Sequence, residues 1–225
     1  LKAASINDVT IAGVETITIT SGGTAANVLG DLVVANASTI NISGDQNLTI
    51  TAEVDMADTS VVTAGAIDGT VDASAMTGAL SFTPNASDNM KITGGSGDDS
   101  FNGVFYADGG TGTTAFPGDS VVGGSGSDTL NISVAGLSTA AVSINAIQTA
   151  GVEKLLVTNF DTNGTGAQET TIDTSLMVGL TSVGLNASSA VGDTVFSNLA
   201  SIVDATLANG SGDLNLNYIA SVVVG

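Results

Sequence analysis

The chain is predicted to be all-β, a right-handed parallel β-solenoid of β-roll-like build. Three observations predict it: short segments of strict apolar–polar alternation, punctuation by Gly and Asx rather than Pro, and an aromatic content of only 4%. A sandwich centre usually carries more large rings, whereas stacked coils each bury a thin strip of aliphatics against their neighbours.

In chain order, Thr16-Ile17-Thr18-Ile19-Thr20 alternates at period 2 and reads as a half-buried strand. Ser43-Gly44-Asp45 is a turn, and Leu48-Thr49-Ile50-Thr51 is the next alternating run. Leu130-Asn131-Ile132-Ser133 repeats the pattern. Gly151-Val152-Glu153 then leads into an alternating strand, as Gly13-Val14-Glu15 does near the start, an internal echo. Phe196–Ile202 reads as a loop or a turn or two of helix. Asn209-Gly210-Ser211-Gly212-Asp213 is a turn before the alternating Leu214-Asn215-Leu216-Asn217. Weak helix formers dominate throughout. Only Pro84 and Pro117 interrupt the chain, so turns rest on glycine and Asx chemistry. No linker divides the chain, so 1–225 reads as one continuous body. Its start at Leu1 without a charged, then apolar, leader reads as a piece of a longer protein.

Composition excludes several functions. Cysteine and histidine are both absent, which removes disulfides, thiolate or imidazole zinc sites, and Ser-His or Cys-His nucleophiles. Three lysines face 22 carboxylates, for a formal charge of -19. Such a surface repels phosphate backbones and anionic membranes, so neither nucleic acid nor membrane insertion is expected, and a cation is the natural partner. No apolar run approaches 18 residues. The 43% hydrophobic content fits a packed chain rather than an acidic tail. No pair of carboxylates marks a glycosidase cleft, and no catalytic apparatus is visible.

The chemistry concentrates in 94–131. Gly94-Gly95-Ser96-Gly97-Asp98-Asp99-Ser100-Phe101-Asn102 matches the nonapeptide G-G-x-G-x-D-x-U-x, with U a large apolar residue, and Gly123–Asn131 matches it again. With 29 glycines in the chain, roughly 0.04 such matches arise by chance. A degenerate copy starts at Gly109, has Thr114 where Asp belongs, and reaches Asp119-Ser120-Val121 after an insertion. Calcium takes six to eight oxygens, and glycines let a tight turn aim successive carbonyls inward beside the carboxylate. The expected ligands are Gly94, Ser96, Asp98 and Asp99; Asp108, Gly109, Thr111 and Asp119; and Gly123, Ser125 and Asp128. Each turn supplies half a site, and loops bulge out so that the three copies stack. Phe101, Val121 and Leu130 are the expected inward anchors. Magnesium is disfavoured because it keeps its waters in a strict octahedron. Glu53, Asp55 and Asp58, and likewise Asp68 and Asp72, read more readily as solvated charged loops than as further calcium sites.

These nonapeptides resemble those of RTX proteins, which Gram-negative bacteria export by type I secretion. The run from Val71 to Gly103, with AGVETITIT, ASTINISGDQNLTIT and GGSGSDTLNIS, is similar to RTX-type surface-layer (S-layer) proteins over roughly residues 8–133. The dense repeat arrays of secreted toxins are missing. The resemblance implies a non-enzymatic, extracellular structural protein on the bacterial surface. In that family Ca2+ rigidifies the subunit and bridges copies of itself into a two-dimensional lattice, and a cell-surface polysaccharide held through parts outside this stretch is a further implied partner. A type I-secreted adhesin and a passive folding module of a secreted enzyme are the alternatives.

Overall fold

A computed structural model of the chain describes residues 1–2, 4–56, 67–85, 89–106, 120–135, 142–144, 147–160 and 169–223. It is a parallel β-solenoid, almost without helix. A nine-stranded sheet runs in the order β1 (Ser5–Thr10), β3 (Asn27–Val33), β5 (Leu48–Ile50), β7 (Leu80–Phe82), β9 (Ser100–Tyr106), β11 (Thr129–Ala135), β14 (Lys154–Asn159), β17 (Ser182–Asn186) and β19 (Asp204–Ala208). A seven-stranded sheet holds β2 (Thr16–Ser21), β4 (Thr39–Gly44), β6 (Gly69–Met76), β8 (Met90–Thr93), β10 (Ser120–Val122), β13 (Gln148–Ala150) and β16 (Met177–Val178). A third sheet of four, β12 (Val142–Ile144), β15 (Thr170–Asp173), β18 (Thr194–Leu199) and β20 (Leu214–Tyr218), joins in the C-terminal half, and a short α1 (Ala220–Val223) follows.

The described pairings are parallel throughout. Parallel neighbours cannot be joined by a hairpin, so the chain must travel round the body between them. Successive coils are offset by as little as 19 residues, from Leu80 to Asp99, and by as much as 32, from Asn47 to Ala79. The alternation places the core. In β2, Ile17, Ile19 and Ser21 point inward while Thr16, Thr18 and Thr20 face out. Across coils, Phe82, Phe101, Leu130, Leu155 and Val183 stand in register as one buried column. Each such side chain contributes roughly 1.5–3 kcal/mol by burial. The expected anchors Phe101, Val121 and Leu130 are all fully buried.

One expectation needs correction. Thr194–Leu199 is strand β18, not loop or helix: Phe196 is fully buried and stands in register between Ile172 and Leu216. Pairing on both sides outweighs the local ambiguity of the segment. Within the strand, Asn198 has a φ of +62°, where the register to β20 shifts between Phe196 and Leu199. The internal echo is real local geometry, since Gly13 and Gly151 have φ of +71° and +61°. The carbonyls of Glu15 and Glu153 each accept two backbone N–H groups from the next coil. The two copies nevertheless lead into different sheets, β2 and β14.

Candidate metal centre

Both complete nonapeptides occupy the same corner. Gly94–Asp99 carries the chain from β8 to β9, and Gly123–Asp128 carries it from β10 to β11. The two turns stack directly on each other. Gly94 N donates to Val122 O at 2.8 Å and Ser125 N donates to Gly95 O at 3.0 Å. Below them Ser96 N donates to Met76 O, and above them Gly123 N donates to Ala150 O. Gly126 shows why the turns need glycine: its φ is +124°, and a Cβ there would stand 2.5 Å from Gly97 O.

The expected stack of three copies is corrected by this geometry. The turns at 94 and 123 are immediate neighbours, one full coil of 29 residues apart. Val121, the anchor of the degenerate copy, belongs to β10 in the seven-stranded sheet, whereas Phe101 and Leu130 sit in the nine-stranded one. A coil that includes β9 and β10 separates the two turns. Asp108, Gly109, Thr111 and Asp119 lie outside the described residues, as does Asp58.

The carboxylates do specific work here. Asp99 is buried; its Oδ1 accepts from Leu80 N and its Oδ2 from Gly95 N, both at 2.7 Å. Asp128 Oδ1 accepts from Asp99 N at 2.8 Å. Exposed Asp98 accepts from Ser127 N through Oδ1 at 2.8 Å. Glu153, which sequence reasoning placed only in the echo, accepts from Asp128 N through Oε2 at 2.8 Å. Its signal was position: like Asp99 and Asp128, it immediately precedes a strand of the nine-stranded sheet. The same capping runs further along the corner, where Asn27 Oδ1 takes Ala4 N and Asn47 Oδ1 takes Ala79 N.

Asp128 Oδ2 is fully buried and has no hydrogen-bond partner among the described residues. Burial pushes the Asp128 carboxyl up to about 6, and the like charges of Asp99, Glu153 and Asp98 add to the rise. Burial likewise raises Asp99, against the pull of its two backbone donors. Oxygens crowd this orphan. A side-chain carbon on Gly123 would collide with both Gly151 O and Asp128 Oδ2, and one on Gly94 with Gly123 O and Asp99 Oδ2. Each glycine thus lets one carbonyl and one carboxylate oxygen close in where a side chain would otherwise stand. Among the described residues no three acidic side chains converge into a metal-binding group by themselves. A cation held at this corner would therefore draw on main-chain oxygens as well. That donor set, all hard oxygen with a surplus of negative charge, fits calcium.

Two of the other candidate acids cap backbone N–H groups. Asp68 Oδ2 accepts from Asn89 N and Asp72 Oδ1 from Ser74 N, each at 3.0 Å. Hydrogen bonds from Ser74 hold the Asp72 carboxyl below its usual value. Asp55 forms an isolated parallel bridge with Val33. Compared with protein-family models, with curated proteins and with solved structures, the chain matches none.

Proposed function

We propose that this chain is a calcium-binding, non-catalytic structural domain that works outside the cell in a self-assembling bacterial surface layer. The observation that carries the calcium reading is the orphaned, buried Asp128 Oδ2 amid the charges of Asp98, Asp99 and Glu153. Backbone capping alone does not call for that charge, because Asn27 and Asn47 do the same job with neutral amides. The glycine turns at 94 and 123 also bring carbonyl oxygens alongside Asp99 and Asp128, and oxygen donors are what a hard cation needs. Asp128 and Asp99, with the carbonyls of Gly123 and Gly151, are the groups that would hold it; bound calcium would neutralise their mutual repulsion and tie adjacent coils together.

The surface-layer reading rests on the RTX-like nonapeptides and on a charge of -19, which opposes contact between copies until divalent ions intervene. Extracellular calcium modules bind at about 0.1–1 mM. A tenfold excess over that affinity adds roughly 1.4 kcal/mol per site. Calorimetric titration with calcium is expected to give a saturable heat, with a rise in melting temperature that Asp128→Asn largely removes. Electron microscopy at millimolar calcium is expected to show ordered sheets. No binding heat would end the calcium reading, and dispersed monomers under those conditions would end the lattice reading.

A further inference from the structure

We infer that Glu153, which belongs to neither nonapeptide, sets the calcium affinity of this corner as a positioning residue that acts through Asp128. This role rests on the calcium reading proposed above and brings in a third coil. Ser100 pairs with Thr129, and Thr129 with Lys154. Asp99, Asp128 and Glu153 therefore stand at equivalent places on three successive coils, each one residue before a strand of the nine-stranded sheet. They form one ladder: Leu80 N donates to Asp99 Oδ1, Asp99 N to Asp128 Oδ1, and Asp128 N to Glu153 Oε2, at 2.7, 2.8 and 2.8 Å.

The two nonapeptides differ at one oxygen. In the first, Gly95 N donates to Asp99 Oδ2 at 2.7 Å, so both oxygens of Asp99 are capped. In the second, Gly124 takes a left-handed φ of +108°, which Gly95 does not, and Asp128 Oδ2 has no partner among the described residues. Asp128 is thus pinned twice, at Oδ1 by Asp99 N and at its own N–H by Glu153. Its remaining oxygen and Gly151 O both close on the point where a Cβ of Gly123 would stand. Gly151 and Glu153 belong to the same short turn, so one turn outside the motif supplies both a carbonyl beside the orphan and the group that holds the orphan in place.

A neutral amide would cap Asp128 N equally well, as Asn27 and Asn47 cap Ala4 N and Ala79 N. A carboxylate there instead sets a second negative charge against a buried one. That repulsion destabilises the empty corner and is relieved when a cation arrives, so the charge of Glu153 strengthens binding without a direct contact. Groups that orient a metal ligand in this way typically change affinity by roughly 10–100-fold when they are altered.

Calorimetric titration with calcium, paired with thermal melts in EDTA, tests the role on Glu153→Gln. Gln keeps an acceptor for Asp128 N and removes the charge. Glu15→Gln is the control, since Glu15 is the counterpart of Glu153 in the internal echo but is exposed and precedes β2 of the other sheet. Glu153→Gln is expected to weaken calcium binding roughly tenfold or more while melting at or above wild type in EDTA. Glu15→Gln is expected to bind as the wild type does. A residue that only braces the fold would do the reverse, lowering the melt in EDTA and sparing the affinity. Wild-type affinity in Glu153→Gln, or an equal loss in Glu15→Gln, overturns the inference and leaves the calcium reading standing; no binding heat from the wild-type chain overturns both.

Discussion

Asp128 does two jobs that pull against each other. Its Oδ1 caps Asp99 N, while its Oδ2 is buried without a partner among the described residues and beside other acids. The folded carboxyl, near 6, holds its proton to higher pH than an unfolded one at 3.8. Between those values the folded state binds more protons, so this group's contribution to stability falls as pH rises from about 4 to about 6 and then levels off. Asp128→Asn keeps an acceptor for Asp99 N and removes the charge. In EDTA, Asp128→Asn is expected to melt above wild type at pH 7, with the gap closing as pH drops from about 6 toward 4. Thermal melts of both chains across that range check it, and a gap that does not depend on pH would refute it. The glycine–aspartate spacing was readable in the chain itself, because it is local. Which N–H each carboxylate caps was not, since it depends on offsets of 19 and 29 residues set by the coils between.

At the level of strands, alternation located the inward residues well, because period 2 leaves little choice once one face is buried. Phe101 shows what that burial is worth. It is fully buried in β9, with Phe82 and Leu130 in register on its two sides. Phe101→Ala is expected to cost about 3–5 kcal/mol in a chemical denaturation series, measured in EDTA so that metal binding does not mask it. A loss below about 1 kcal/mol would mean that the column is not continuous. Strands were harder to place where local preference is flat. Phe196 settles into β18 only because β15 and β20 already flank it. Sheet membership was hidden as well: Val121 and Leu130 both follow glycine-rich stretches, yet they pack in different sheets. A nine-residue motif carries no information about how far round a coil the chain has travelled.

For the whole molecule, a charge of -19 spread over a thin stack of coils is a standing source of self-repulsion. Monovalent salt screens it, with a Debye length of about 10 Å at 0.1 M. In EDTA, added sodium chloride is expected to raise the melting temperature steadily. Calcium at equal ionic strength is expected to raise it further, because site binding adds to screening. Scanning calorimetry of the two series separates the terms, and coincident curves would leave only screening. Composition and period were enough to establish coiled parallel strands, an acidic surface, and glycine turns bearing carboxylates, since each follows from residue types over a few neighbours. The stacking of 94 on 123, the recruitment of Glu153 beside Asp128, and the end of the seven-stranded sheet at β16 came from the folded body alone. Coil length is free to vary between strands, so only the closed stack determines which distant turns become neighbours.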